Sequence, residues 1–437
     1  MTRWKLTIGM AAAAAVMLSS APPRAEDERL PIVLPAPALE QSGWSGGGAS
    51  GHPLMTPQAI QAATASFTAC IEGLWPHAAR RGVSRQTFDE HTAGLTPDLQ
   101  IMDLLDAQPE FTKPPWEYLE TLVNDDRIRR GQELLAQHRA TFDAIEKTYG
   151  IDRHILAAIW GVETKFGAVT GDRPVLRSTA TLACIGRRQD YFQDEFLAAL
   201  EMLHRGDVRA EQLKGSWAGA FGPTQFMPTV FKRFAVDFDG DGRRDLVGSM
   251  PDVLASTANL LRKNGWVSGQ AWGYEVLVPQ GFDYLLADRS RQYTVRQWEK
   301  LGIRRAGDKP FPRLDDRAYL LIPAGARGPA FLMLNNFRVV MKYNPAEAYA
   351  LAISHLADRL RGSEPLVQPW PREERVLSRT ERLELQQRLA SRGLDVGEAD
   401  GQLGAKTRAA VRTFQASVGL VPDGFASSTV LTHLRGQ

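Results

Sequence analysis

IWGVETKFG, residues 159–167, sets a glutamate into a run of residues that otherwise belongs inside a protein. Just upstream, YGIDRHILAAIW (149–160) brings Ile155, Leu156 and Ile159 round at helical spacing. Glu163 stands four residues after Ile159 and eight after Ile155, so on a helix it continues the apolar stripe. Gly167 is the expected helix stop. A charged carboxylate on a buried face is costly to desolvate. Such a group is either paired, with an arginine or with backbone N–H groups, or it is a general acid whose apolar neighbours keep its proton in place. Glycosidic cleavage needs the second kind, because the leaving oxygen must be protonated as the bond breaks.

Outward from this stretch the pattern is mainly helical between about 57 and 265. PQAIQAATASFTACIEGLW, DDRIRRGQELLAQHRATFDAIEKTYG, RRQDYFQDEFLAALEMLHRG and PDVLASTANLLRKNG are amphipathic runs ending at or near Gly or Pro. From about 272 to 343 the character changes, and WGYEVLVP, RAYLLIP, AFLMLNN and RVVMKY read as short strands. AEAYALAISHLADRLRG then closes the region as a helix. The expected class is mainly α with a small β region (α+β). SEPLVQPWPREERVL (363–377), with three prolines and mixed charges, reads as a linker. Residues 378–437 form a last small unit of three helices, the first opened by a Ser378–Glu381 capping box. About 60 residues is near the lower limit for an independent core, and a unit of that size suits binding better than catalysis.

The N-terminus, MTRWKLTIGMAAAAAVMLSSAPPRAEDE, has two early cations, a short apolar run and then small residues. Residues 1–25 read as a secretory signal peptide, and the Pro-, Gly- and Ser-rich stretch to residue 56 as a flexible leader. The apolar run is too short to span a bilayer comfortably, no cysteine follows it for lipid attachment, and no later stretch suits a membrane helix. An exported, unanchored chain is expected. Its removal of Arg3, Lys5 and Arg24 leaves 49 basic against 50 acidic residues, so charge gives no reason to expect nucleic acid. Cys70 and Cys184 are either a disulfide, which export would preserve, or buried thiols; sequence does not supply the separation that decides.

Two further stretches carry chemistry. LKGSWAGAFGPTQFMPTVF (213–231) packs three glycines into eight residues beside aromatics, with Ser216 and Gln225 as hydrogen-bonding groups. It is either a sugar-binding loop or a tight connection with Trp217 and Phe221 in the core. DFDGDGRRD (237–245) places Asp237, Asp239 and Asp241 at positions 1, 3 and 5 of a calcium-type loop, with Gly242 at the turn and the Arg243 carbonyl at position 7. The usual acidic twelfth position is Gly248, and Asp252 is either a late ligand or part of a helix cap begun by Ser249. Closely spaced carboxylates repel one another without a cation, which favours Ca²⁺ over a solvated turn.

Together these stretches resemble the lytic murein transglycosylase B family of bacterial cell-wall enzymes, in consistent order over about residues 57–362. GVETKFG is similar to that family's catalytic helix end, GSWAGAFGPTQFMP to its cleft loop and the Asp-rich stretch to its EF-hand-like site. IGRRQDYF, with Arg187 and Arg188, and KYNPAEAYA, with Tyr343, Asn344 and Tyr349, match further cleft segments. Residues 378–437, through LQQRLASRG, DGQLGAKTRAAVRTFQ and GLVPDG, resemble a three-helix peptidoglycan-binding domain.

The resemblance implies a lysozyme-like helical catalytic domain acting on peptidoglycan glycan strands in the periplasm. Glu163 alone would protonate the oxygen between N-acetylmuramic acid and N-acetylglucosamine, the muramic N-acetyl group would assist at C1, and ionised Glu163 would then take the C6 hydroxyl proton. The product is a 1,6-anhydro sugar, with no water consumed. Ser216, Gln225, Phe226, Tyr343, Asn344 and Tyr349 would hold the sugar, and Arg187 and Arg188 would meet peptide or lactyl carboxylates. Asp237, Asp239, Asp241, Arg243 and Asp252 would hold a structural Ca²⁺, and no organic cofactor is implied. The rivals are a lysozyme-like hydrolase, and a non-catalytic peptidoglycan-binding protein that keeps the fold. Neither the sequence nor the resemblance points to a protein partner.

Overall fold

The computed structural model describes Ser45, residues 52–105 and residues 113–436. The stretch expected to be a signal peptide, and most of the leader behind it, lie outside the described residues.

An N-terminal group of short helices, from Pro57–Ala65 to Gln100–Leu104, packs on two longer ones around Phe88, Ile101, Phe192 and Phe196. Cys70 is bonded to Cys184 across this core, with the two Cα atoms 6.0 Å apart. The pair is therefore a disulfide and not two thiols.

The central core collects helices α1 (Pro115–Leu122), α2 (Asp125–Gln137), α3 (Arg139–Tyr149), α4 (Arg153–Thr164), α5 (Val175–Cys184), α6 (Gln189–Arg205), α7 (Pro228–Phe234), α8 (Met250–Lys263) and α9 (Glu347–Leu360). α4 is its axis. Asp152 caps it, accepting from the His154 N–H at 2.9 Å, and each residue from Ile155 to Thr164 is buried. A helix apolar on every side has to be surrounded, and α4 lies against α2, α3, α8 and α9. It stops at Thr164, three residues before the glycine expected to end it. Lys165, Phe166 and Gly167 are all left-handed, with φ of 51°, 60° and 84°. The cause is Phe166, whose ring folds back into a slot that exists only because Gly131 and Gly161 lack side chains.

Strands β1 (Arg173–Pro174) and β2 (Lys214–Gly215) pair beside the site. A five-stranded antiparallel sheet follows, with β3 (Gly273–Leu277) and β7 (Ala330–Met333) at its centre, β6 (Arg317–Leu321) and β4 (Tyr293–Thr294) on one side and β5 (Arg304–Arg305) on the other. Its inner face packs on Trp298 and Phe311. One expected strand is absent: RVVMKY is not extended, because a helix runs from Asn335 to Val340. A short apolar run suits either period, and here Asn336 decides. Its amide accepts from Val267 N–H and donates to the Val267 and Gln270 carbonyls at 2.7–2.8 Å, pinning a helical turn.

The proline-rich stretch 363–377 runs along the body. Val367 and Gln368 donate their N–H groups to Glu275, and Trp370 meets Trp116 with ring centres 6.2 Å apart. Helices α10 (Arg379–Ala390), α11 (Ala405–Ser417) and α12 (Ser428–Arg435) then enclose a separate small core of Leu385, Leu389, Val411, Phe414 and Leu431. The Ser378–Glu381 capping box forms as expected.

Candidate active site

Glu163, the last residue but one of α4, has no exposed surface. Its Oε1 accepts a hydrogen bond from the hydroxyl of Tyr349, in the first turn of α9. This is a phenol, which holds the carboxyl without bringing a positive charge. Burial pushes the Tyr349 hydroxyl well above its ordinary range, and the nearby charges of Glu163, Tyr343 and Tyr118 add to the effect. Tyr343 is raised in the same way, by burial first and Glu163 second. Both phenols therefore remain protonated donors at any physiological pH.

The glycine-rich loop is tied to this centre by main-chain carbonyls. Thr164, beside Glu163, donates to the Pro223 carbonyl at 2.6 Å, and Tyr343 donates to the Thr224 carbonyl at 2.6 Å. The Thr257 hydroxyl of α8 donates to that of Thr224 at 3.0 Å. Phe221 and Phe226 exchange both backbone hydrogen bonds, closing a tight turn over Gly222–Gln225. Gly222 allows it: with φ of 75°, any side chain there would meet the Leu246 carbonyl at 2.3 Å.

The expected sugar-holding residues divide. Tyr343, Asn344 and Tyr349 are buried and arrive on one segment at the start of α9; Asn344 accepts from the Ala346 N–H at 2.9 Å. Ser216 and Gln225 have structural partners: Ser216 accepts from Ala220 N–H, and Gln225 donates to the Thr170 and Gly222 carbonyls. Phe226 is buried against Tyr343. Arg187 donates to the Leu105 carbonyl, and Arg188 lies 4.4 Å over the Tyr191 ring. Sequence reading missed Thr164, Thr224 and Thr257. Thr164 had a signal, its place directly after the glutamate; Thr257 had none.

The Asp-rich loop brings together three of the five expected metal ligands. Carboxylate oxygens of Asp237, Asp239 and Asp252 lie within 4.8 Å of one another. Asp252 is wholly buried and faces the loop, accepting from the Phe238 and Asp245 N–H groups, while Ser249 alone supplies the helix cap. Burial raises the Asp252 carboxyl, with Asp239 adding repulsion against the loop's N–H groups. Such crowding of carboxylates around a buried one fits a divalent cation. Asp241 is not in the group: its carboxylate turns to the Arg243 guanidinium and N–H. The arginine at position 7 supplies a local partner that takes Asp241 out of the cluster.

Both the body and the C-terminal unit have counterparts among known proteins. Residues 66–358 match the model of the transglycosylase SLT domain, and residues 378–434 that of a peptidoglycan binding domain. Membrane-bound lytic murein transglycosylase B of Escherichia coli (strain K12) is 30% identical over 292 residues, 63% of this chain and 78% of that one. The crystal structure of SltB3 from Pseudomonas aeruginosa in complex with NAG-anhNAM-pentapeptide is 45% identical, covers 84% of this chain and 99% of its own, and superposes with a TM-score of 0.82. Escherichia coli lytic transglycosylase Slt35 in complex with calcium is 27% identical over 68% of this chain and 92% of its own, with a TM-score of 0.57.

Proposed function

The chain belongs to the lytic transglycosylase family, lyases that cleave peptidoglycan glycan strands, and within that activity we propose that Glu163 is the single acid and base. The observation that carries this is the wholly buried Glu163 carboxyl held by the neutral hydroxyl of Tyr349. Burial favours the protonated acid, which then donates to the glycosidic oxygen. The C1–O4 bond breaks, N-acetylglucosamine leaves with Glu163's proton, and the muramic N-acetyl oxygen shields C1. Ionised Glu163, steadied by Tyr349, removes the proton from the C6 hydroxyl as O6 closes on C1. The carboxyl ends protonated, the sugar ends as the 1,6-anhydro form, and water takes no part. Because Glu163 has no exposed surface, an arriving glycan must displace what covers it.

Tyr343, Asn344 and Tyr349 line the reacting sugar in this reading, with Ser216, Gln225 and Phe226 shaping the loop behind it. Arg187 and Arg188, beside α6, meet the anionic stem. Asp237, Asp239 and Asp252 would hold Ca²⁺, and the calcium bound by Slt35 supports that assignment. Bound there, the ion neutralises the loop and braces α8, which carries Thr257 toward the site. In this reading residues 57–362 form the catalytic domain and residues 378–437 the peptidoglycan-binding domain, a division that the matched spans 66–358 and 378–434 support. The Cys70–Cys184 disulfide supports action in the periplasm.

The test is mass spectrometry of soluble products released from purified sacculi by wild type and by Glu163→Gln. Anhydro-muropeptides from wild type alone are expected. Products heavier by one water would indicate a hydrolase, and unimpaired turnover by the variant would remove Glu163 from the chemistry.

A further inference from the structure

Tyr343, Asn344 and Tyr349 share a segment with Glu347, the first residue of α9. Two residues along a helix turn the side chain by about 200°. Glu347 therefore points away from the site while Tyr349 points into it. The Glu347 carboxylate is held from two directions. Arg289, in the loop before β4, brings Nε to Oε1 at 2.6 Å, and Arg408, on α11 of the C-terminal unit, brings both Nη atoms to Oε2 at 3.4 Å. Burial would raise the Glu347 carboxyl, but Arg408 and Arg289 outweigh it and hold it below its ordinary value, so the ion pair persists at neutral pH.

Arg408 itself is fixed in place, because the C-terminal unit is docked at other points. Arg412 donates to the Ala287 carbonyl at 2.8 Å, and Asp423 accepts from the Ala326 N–H at 2.9 Å. Glu374 takes Arg327 of the body together with Ser428 and Thr429 of α12. The unit expected to hang on a linker is seated against the β region, and one of its side chains reaches the helix that carries Tyr349.

We propose that Arg408 is a positioning residue for the cleavage reaction, acting through Glu347 to set the first turn of α9 and so the Tyr349 hydroxyl against Glu163. The peptidoglycan-binding unit, docked in place, then contributes to turnover by holding Glu347 and with it the first turn of α9. This rests on the assignment of Glu163 and Tyr349 as the reacting pair.

The experiment uses the full chain with soluble glycan fragments, comparing Arg408→Ala, Arg408→Lys, Glu347→Gln and the Arg408→Ala/Glu347→Gln double variant. Arg408→Ala is expected to lower kcat about 3- to 10-fold with KM changed by less than about twofold. Arg408→Lys should restore most of it, since a single charge suffices at this distance. In the Glu347→Gln background, Arg408→Ala should have no further effect on kcat. A wild-type kcat for Arg408→Ala, or losses that multiply in the double variant, would overturn the coupling and leave Arg408 as a docking contact. If Glu163→Gln turns over normally in the same assay, the reacting pair itself is wrong, which is a different failure.

Discussion

The Tyr349 hydroxyl donates to Oε1 of Glu163, joining the C-terminal end of α4 to the first turn of α9 across 186 residues of chain. Both residues are wholly buried, so water cannot replace the phenol if it is removed. Tyr349→Phe keeps the ring and removes only the donor. Loss of one such hydrogen bond in the transition state is worth about 1.5–3 kcal/mol, or roughly 10- to 150-fold in kcat. Steady-state kinetics on soluble fragments should show that loss in kcat with KM little changed. A raised KM with normal kcat would make Tyr349 a substrate-binding group and not the partner of the acid.

The end of α4 depends on a missing side chain. A Cβ on Gly161 would lie 2.6 Å from Cζ of Phe166, and the ring has Gly131 on its other side. Gly161→Ala should therefore destabilise the fold by about 1–3 kcal/mol, by overpacking, and move the turn that follows Glu163. Urea unfolding of Gly161→Ala alone and with Phe166→Leu reads this directly. The second substitution should recover stability; if it does not, the alanine acts elsewhere than on the ring.

These two relationships mark where sequence reading succeeds and where it ends. Glu163 stands out because local periodicity puts an expensive charge on an apolar stripe, while for Asp252 the sequence leaves two readings, late ligand or helix cap, and the structure turns its carboxylate to the loop. The resemblance puts Tyr349 on the sugar, and its bond to Glu163 is legible only in the structure, since no local pattern reports a contact 186 residues distant. Loop position alone does not report that the Asp241 carboxylate pairs with the Arg243 guanidinium two residues on. RVVMKY is ambiguous in sequence because six apolar and basic residues fit either period, and the deciding hydrogen bonds of Asn336 reach back to residues 267 and 270. Composition marks 363–377 as a linker but does not report its contacts, which are long-range: Val367 with Glu275 and Trp370 with Trp116.

Calcium should act on stability through Asp252. With Asp237 and Asp239 converging on a buried carboxyl, an ion present at about 100 times its Kd would stabilise the fold by about 2.7 kcal/mol. Thermal unfolding after chelation, then with Ca²⁺ restored, measures the difference. Asp252→Asn should lower the melting temperature and abolish its response to Ca²⁺, whereas Asp241→Asn should leave the response in place. A response lost equally in both variants would return Asp241 to the ligand set.

His355, buried on the helix that carries Tyr349, sets an acid limit. Burial, helped by Arg359, lowers its pKa to about 4, against an ordinary value near 6.5. Between those two values the unfolded chain binds a proton that the folded chain refuses, so stability falls as pH drops through this window and the effect levels off below about 4. The full span amounts to about 3 kcal/mol. In the same window Asp152 stays ionised, since its own pKa is held near 2: burial opposes its charge, but His154 and Arg361 outweigh that cost. The α4 cap therefore does not share the loss. Urea midpoints of wild type and His355→Gln at pH 7, 5.5 and 4.5 separate this group from the carboxylates that titrate in both. The wild type should lose stability faster than the variant over that range. Parallel curves would mean that His355 takes up its proton in the folded state at the ordinary pH, and that the core around α9 admits water.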